Sequence, residues 1–222
     1  MNVRNPNTNH LGLSMENQRR VAVYVDGFNL YHAIDELNVP KLKWLNLDAL
    51  ARSLLRPQET LVKCHYFTSI VDWNPKKEAN HRAYIAAQRA QGVTITYGTF
   101  KTSKKHCAQF SRQCLFREEK RTDVALGVQI VADALTDVFD RLILVTADTD
   151  QIPSVSLVHK LRPNIQLTWA APPNRMRNAR EIGKIVKDRI EIKAGRLAAC
   201  RLPQVIQDHQ QKVIARIPPA YL

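Results

Sequence analysis

Glycine is scarce in this chain, with seven residues in 222 and none of them clustered. A P-loop or a Rossmann dinucleotide fingerprint needs several glycines at fixed spacing so that backbone can close on phosphate, and both are therefore excluded. Ser154 and Ser156 lack the flanking glycines of a hydrolase nucleophile elbow. No apolar run approaches the roughly 18 to 20 residues of a membrane span, and the opening segment MNVRNPNTNHLGLSMENQRR has no apolar centre of the signal-peptide kind. The expectation is a cytoplasmic protein with no membrane partner. Four cysteines (Cys64, Cys107, Cys114, Cys200) are scattered along the chain, and in that compartment free thiols are expected rather than disulfides. None of the seven histidines stands beside a nucleophile pattern, and no internal repeat or low-complexity run is present.

What the chain does have is positive charge. Its formal net charge is +13 and its pI about 9.9, a balance that favours a polyanionic partner through phosphate contacts and counterion release. The distribution is uneven. Residues 101–121 hold seven Lys or Arg against two Glu, and residues 160–222 hold thirteen against four acids, whereas 123–150 holds six Asp against the single Arg141. An acidic island thus sits inside a basic chain. Within it, Asp137 and Asp140 read as caps or solvated surface.

The hydrophobic pattern predicts strands alternating with helices. Residues 1–18 are polar and aperiodic, a flexible tail, and the domain is expected over 19–195, with 196–222 as a C-terminal extension. Strands are predicted at 21–25, 61–69, 93–100, 141–147 and 165–171, and helices at 27–37, 46–55, 75–91, 122–139 and 150–161. Asn46 and Thr122 are candidate caps, Pro75 a start and Gly92 a stop. Residues 101–121 show no clean period and read as a basic loop, and a last helix over 178–193 is predicted from Ile182, Ile185, Val186 and Ile190 on one face. Such alternation indicates an α/β fold of three layers with a mainly parallel central sheet. Ligands in these sheets bind beyond the carboxyl ends of the strands.

Asp26 closes the first strand, and Asp148 and Asp150 follow the strand that ends LVTA; Asp123 opens a helix and Glu119 lies four residues before it. Taken singly, each reads as a turn or cap residue. Taken together at one rim, each pair of charges at about 4 Å costs on the order of 4 kcal/mol in an effective dielectric near 20. A domain stable by about 5 to 15 kcal/mol does not carry several such repulsions without compensation. All-oxygen donors suit a hard ion such as Mg²⁺ or Mn²⁺, which can activate water and neutralise charge on a phosphodiester.

The segments VDGFNLYH, EEKRTDVALGVQIVADAL and LILVTADTDQIPSV, in this order, resemble the NYN-domain (LabA-like) branch of the PIN-like nucleases. The resemblance runs from about Arg20 through the RLPQVI segment. It implies a PIN-like α/β fold and a metal-dependent ribonuclease leaving 5′-phosphate and 3′-hydroxyl ends. By the same resemblance, Asp26, Asp123, Asp148 and Asp150 match the metal-binding acids, and Asn29 and Thr146 match polar positions beside them. Glu119 is expected to bind through water or to orient the attacking water. The sequence departs from the family in three places. Ala147-Asp148-Thr149-Asp150 replaces a common Gly-Asp-Ser-Asp, Gln129 stands at an often acidic helix position, and Cys107 and Cys114, with His106 adjacent, stand where relatives carry a Cys-x-x-Cys pair. Two cysteines and one histidine make an incomplete zinc set.

Arg175, Arg177 and Arg180 follow the fifth predicted strand and so share the acids' rim, where they are candidates to grip phosphate. Lys101, Lys104 and Lys105 are candidates for the same role, with Phe100 or Phe110 offering a stacking face; Phe28 and Tyr31 read as core. The leading expectation is an endoribonuclease acting on single-stranded or structured RNA, with a protein regulator as a candidate partner. The alternative is an RNA-binding module of the same fold, without cleavage, in a regulatory or toxin-antitoxin-like assembly. Haloacid-dehalogenase phosphatase chemistry needs a second Asp two residues after the first, and that position is Phe28.

Overall fold

Strand β1 (Arg19–Asp26) is the spine of the molecule, and its alternation decides the layers. Val21, Val23 and Val25 point into one apolar cluster with Leu30, Leu50 and Leu197, while Ala22 and Tyr24 point into another with Leu126, Ile130 and Val155. A period of two with both faces apolar is the pattern of a strand covered on both sides. The computed structural model describes residues 18–107 and 112–222, with the side chains of residues 105–107 and 112–113 outside that description. Of the expected flexible tail, only Gln18 lies within it.

From β1 the chain runs through α1 (Gly27–Asp35), α2 (Leu47–Ser53), β2 (Glu59–Thr68), α3 (Pro75–Ala90) and β3 (Thr94–Tyr97). Then come β4 (Thr99–Cys107), β5 (Arg112–Lys120), α4 (Thr122–Leu135), β6 (Arg141–Val145), α5 (Ile152–Leu161) and β7 (Gln166–Ala171). The chain closes with α6 (Arg180–Ile185), β8 (Asp188–Glu191), α7 (Ala194–Ala199), β9 (Val205–Gln207) and β10 (Val213–Arg216). Six strands form one sheet in the order β3-β2-β1-β6-β7-β8, and every pairing in it is parallel. Helices cover both faces, so the fold is the expected three-layer α/β arrangement. Asn46 and Asn74 cap α2 and α3 with their side chains. No helix among the described residues is long and apolar enough to cross a membrane.

Three expectations are corrected. Residues 101–121 are not a loop: β4 and β5 form an antiparallel hairpin from Thr99↔Lys120 to Cys107↔Arg112, and the predicted strand over 93–100 breaks at Gly98 to feed it. Both faces of this hairpin carry polar groups, so no core-facing alternation marks it in the sequence. The helix predicted over 178–193 stops at Ile185, and Asp188–Glu191 becomes the sixth strand. Ile182 and Val186 are buried while Ile185 is exposed. Thr122 does not cap α4; it lies within the first turn, and the Glu119 carboxylate accepts its backbone N–H at 3.2 Å.

The C-terminal residues fold back onto the body. Ile206 and Ala215, from β9 and β10, are buried against Trp44 and Ala87, and the Trp44 indole donates to the carbonyl of Pro203 at 2.8 Å.

The direction of strand order reverses between β1 and β6. This is the switch point where two connections leave toward opposite sides and a crevice opens at the carboxyl ends of the strands.

Candidate functional site

Asp26 ends β1 at that crevice, and Asp148 follows β6, the neighbouring strand. Adjacent parallel strands bring together two residues 122 positions apart. Gly27 lets α1 begin immediately, because a Cβ there would collide with the carbonyl of Phe67 and the Tyr66 ring. Asp26 is buried and fully committed: one carboxylate oxygen accepts the Asn29 N–H at 3.0 Å and the other accepts the Thr146 hydroxyl at 2.8 Å. The Thr146 Oγ1 in turn accepts the Asp148 N–H at 3.0 Å, and Asn29 Oδ1 accepts the Ala147 N–H at 3.0 Å. Thr146 and Asn29 are thus the braces that fix the strand-end loop relative to α1.

Asp123 arrives from the first turn of α4, held by Gln151, whose side-chain amide donates to its carbonyl at 3.0 Å. Carboxylate oxygens of Asp26, Asp123 and Asp148 lie within 4.8 Å of one another. No Lys or Arg ion pair among the described residues reaches any of the three. Burial, with the charges of Asp123 and Asp148 adding to it, pushes the Asp26 carboxyl up to about 6 against the opposing hydrogen bonds of Asn29 and Thr146. Asp123 is raised by desolvation and by Asp148 and Asp150. Glu119 is raised by desolvation first, although it accepts the Ser69 hydroxyl at 3.0 Å. The donors fit a hard divalent cation: they are all oxygen, they converge, and they lack a counter-charge.

A cleft of about 360 Å³ opens over these acids, lined by Asp26, Asn29, Glu119, Asp123, Asp148 and Arg175, with Phe28, His32, Ala147 and Asn178 completing it. Asp150 is not in the convergent trio; it is exposed, and its N–H donates to Asp148 Oδ1 at 2.9 Å. Arg175 reaches the cleft and also pairs with Glu36, whereas Arg177 and Arg180 are exposed and outside its lining. Lys101 and Lys104 are exposed on β4, and the side chain of Lys105 lies outside the described residues, as does Phe110. Gln129 is remote from the acids in role: its amide donates to Asp133 Oδ1 at 2.9 Å, beside the Tyr24 hydroxyl on the same carboxylate. Cys114 is a free thiol, and the side chains of His106 and Cys107 lie outside the described residues.

Sequence reasoning missed His32, Asn178 and Ser69. The spacing of Asn29 and His32, three apart on α1, was the available signal for His32. Gly98 was also missed. A Cβ there would strike Thr122, Glu119 and Ser69 together, so the bare backbone is what lets the hairpin root lie against the cleft floor.

The NYN domain profile matches residues 20–181. The chain belongs to the NYN domain family. That places it in the PIN-like nuclease superfamily, and a nuclease-like function follows at that coarse level. The chain is also similar to the 6-hydroxy-3-succinoylpyridine 3-monooxygenase HspA of Pseudomonas putida (strain DSM 28022 / S16), 25% identical over 227 residues, covering 84% of this chain and 71% of that protein. In fold it is similar to a protein of unknown function from Vibrio parahaemolyticus RIMD 2210633, with a TM-score of 0.57, 16% identity, and coverage of 82% of this chain and 98% of the other. The NYN membership accounts for the parallel sheet flanked by helices.

Proposed function

We propose that this NYN protein is a divalent-metal-dependent endoribonuclease that hydrolyses RNA phosphodiester bonds and leaves 5′-phosphate and 3′-hydroxyl ends. The observation that carries the reading is the meeting of Asp26, Asp123 and Asp148, from three distant segments, within 4.8 Å and without a cationic partner. These three residues would hold Mg²⁺ or Mn²⁺, with Asp150 adding charge from outside the trio. Such an ion supplies positive charge to a phosphodiester and acidifies water. The chain's own work is positional. Thr146 and Asn29 hold the loop that carries Asp148, and Glu119 stands on the cleft wall where a carboxylate raised by burial can take a proton from water. Arg175 lines the cleft and is placed to meet a phosphate, with Arg177, Arg180, Lys101, Lys104 and Lys105 guiding the flanking strand.

A second reading comes from the monooxygenase relative. A cleft of about 360 Å³ falls in the size range of small-molecule sites. The all-carboxylate trio nevertheless suits Mg²⁺ or Mn²⁺ better than the two-histidine, one-carboxylate set of non-haem iron oxygenases. The non-cleaving RNA-binding alternative keeps the same surface without turnover. One experiment separates them: the purified chain is incubated with a labelled single-stranded RNA and Mn²⁺, with chelator, and as Asp148→Asn. Cleavage is expected only with the ion, and the variant is expected to be slower by on the order of 100-fold or more. Equal rates for wild type and variant would sink the assignment.

A further inference from the structure

Three aromatic side chains from three separate elements meet beside the acid cleft. Phe28 comes from the first turn of α1 and lines the cleft, Phe100 stands at the root of β4, and Trp73 lies in the segment between β2 and α3. Phe28 and Phe100 meet edge to face at 5.6 Å, and Phe100 and Trp73 do so at 4.6 Å. The Arg117 guanidinium lies over the Trp73 ring at 4.6 Å. All three rings are only half-buried, which is an unfavourable place to leave so much aromatic surface unless something covers it.

The register of the hairpin shows what that surface leads to. Phe100 pairs with Glu119, Thr102 with Arg117, and Lys104 with Leu115. Alternation in an antiparallel pair puts Phe100, Thr102 and Lys104 on one face with Glu119, Arg117 and Leu115. That face therefore begins at a cleft-lining carboxylate, passes an aromatic step, and continues to exposed Arg117 about 7 Å along the strand and exposed Lys104 about 13 Å along it. Acid pocket, stacking rings and cations follow one another along a single strip.

We propose that this strip binds an unpaired RNA strand, with bases stacking on Phe100 and Trp73, Arg117 and Lys104 meeting the backbone, and the neighbouring phosphate delivered to the acid cleft. The inference rests on the endoribonuclease reading for its substrate and adds a preference to it. A base can stack on a protein ring only when it has left the duplex, so the strip selects single strands. Charge complementarity supports a polyanionic occupant, given the net charge of +13.

Trp73 supplies its own probe. The other two tryptophans, Trp44 and Trp169, are each 1% exposed, so emission quenched by a stacking base reports on Trp73. The protein is titrated in chelator with a single-stranded RNA dodecamer, and separately with the same strand annealed to its complement. Saturable quenching by the single strand is expected, lost in Trp73→Phe, with the duplex bound at least several-fold more weakly. Trp73→Leu and Arg117→Gln are expected to weaken single-strand binding by on the order of tenfold, read by anisotropy of labelled RNA. Circular dichroism and melting of each variant establish that the fold is intact, and the wild-type quenching result needs no variant. Equal affinity for single strand and duplex, or unchanged affinity in Trp73→Leu without quenching in wild type, overturns the proposal. Because chelator suppresses turnover, the two readings fail separately. A chain that cuts RNA but binds it independently of Trp73 loses this inference alone, and one that stacks single strands on Trp73 yet never cuts loses the nuclease assignment alone.

Discussion

The two ends of the parallel sheet treat carboxylates in opposite ways. At the amino ends of the strands Glu59, Asp137, Asp140 and Asp188 each have a cation. Arg20 pairs with Asp137 and Asp140, Arg162 with Asp137, Arg56 with Asp188, and buried Arg141 with Glu59. At the carboxyl ends Asp26, Asp123 and Asp148 face one another with no such partner among the described residues. The chain has 33 Lys and Arg against 20 acids, so the lack of a cation at one rim is not a shortage. One end is finished as structure, and the other is left with an electrostatic demand that a ligand can meet.

The largest effect that tests this contrast lies at the finished end. Glu59→Ala leaves the fully buried guanidinium of Arg141 without its carboxylate at 2.5 Å and with Asp188, at 3.6 Å, as its remaining ion pair among the described residues, and chemical denaturation is expected to show a loss of about 3 kcal/mol, the lower end of the range for a buried charge stripped of its partner. At the other end the sign reverses. Asp148→Asn removes a repulsion, so its metal-free midpoint is expected to equal or exceed that of wild type; a large destabilisation would erase the distinction between the rims.

An intermediate effect comes from pH. A carboxyl raised to about 6 favours the protonated folded state, so the Asp26 contribution is fully present below its unfolded value near 4 and is lost as pH rises through 6. Asp137 is lowered by its hydrogen bonds with Arg162 and then Arg20, and Asp140 by its hydrogen bond with Arg20; their contribution is present above pH 4 and lost on acidification through their folded values. Scanning fluorimetry without metal is therefore expected to show stability falling between pH 4 and 7 by on the order of 2 kcal/mol. Millimolar Mn²⁺ should flatten that slope, since an ion holds the carboxylates charged, and Asp26→Asn should reduce it, the remainder coming from Asp123 and Glu119, which are raised as well.

The smallest effect concerns the cations that flank the open rim without lining it. Arg177→Ala or Lys101→Ala is expected to lower RNA affinity only a few-fold and to reduce the salt dependence by about one counterion each.

How much of this the sequence disclosed depended on where each residue's partner lay. Asp26, Asp148 and Asp123 were legible because apolar strands and a periodic helix mark their ends, and parallel topology sends those ends to one rim. Asn29 and Thr146 were expected beside the acids, but their bracing role was not visible, because their hydrogen bonds join residues about 120 positions apart. The hairpin was illegible, since a strand pair polar on both faces carries no period. β8 was hidden for the opposite reason. Ile182, Val186 and Ile190 satisfy a helical spacing, yet four residues, Asp188–Glu191, pair with β7 and end the helix early. Trp73 and Ser69 lie beyond the end of β2, where spacing says nothing about direction.

Gly98 sets a boundary for anyone building chimeras from this domain. The backbone pairing of the arm beyond it is internal to the hairpin, but Phe100, Arg117 and Glu119 near its root touch Trp73 and the cleft and must be kept in any exchange. A crossover that brings any side chain to position 98 must lever Glu119 away from Ser69 and the start of α4, so a graft cut one residue too early disables the pocket it was meant to re-equip.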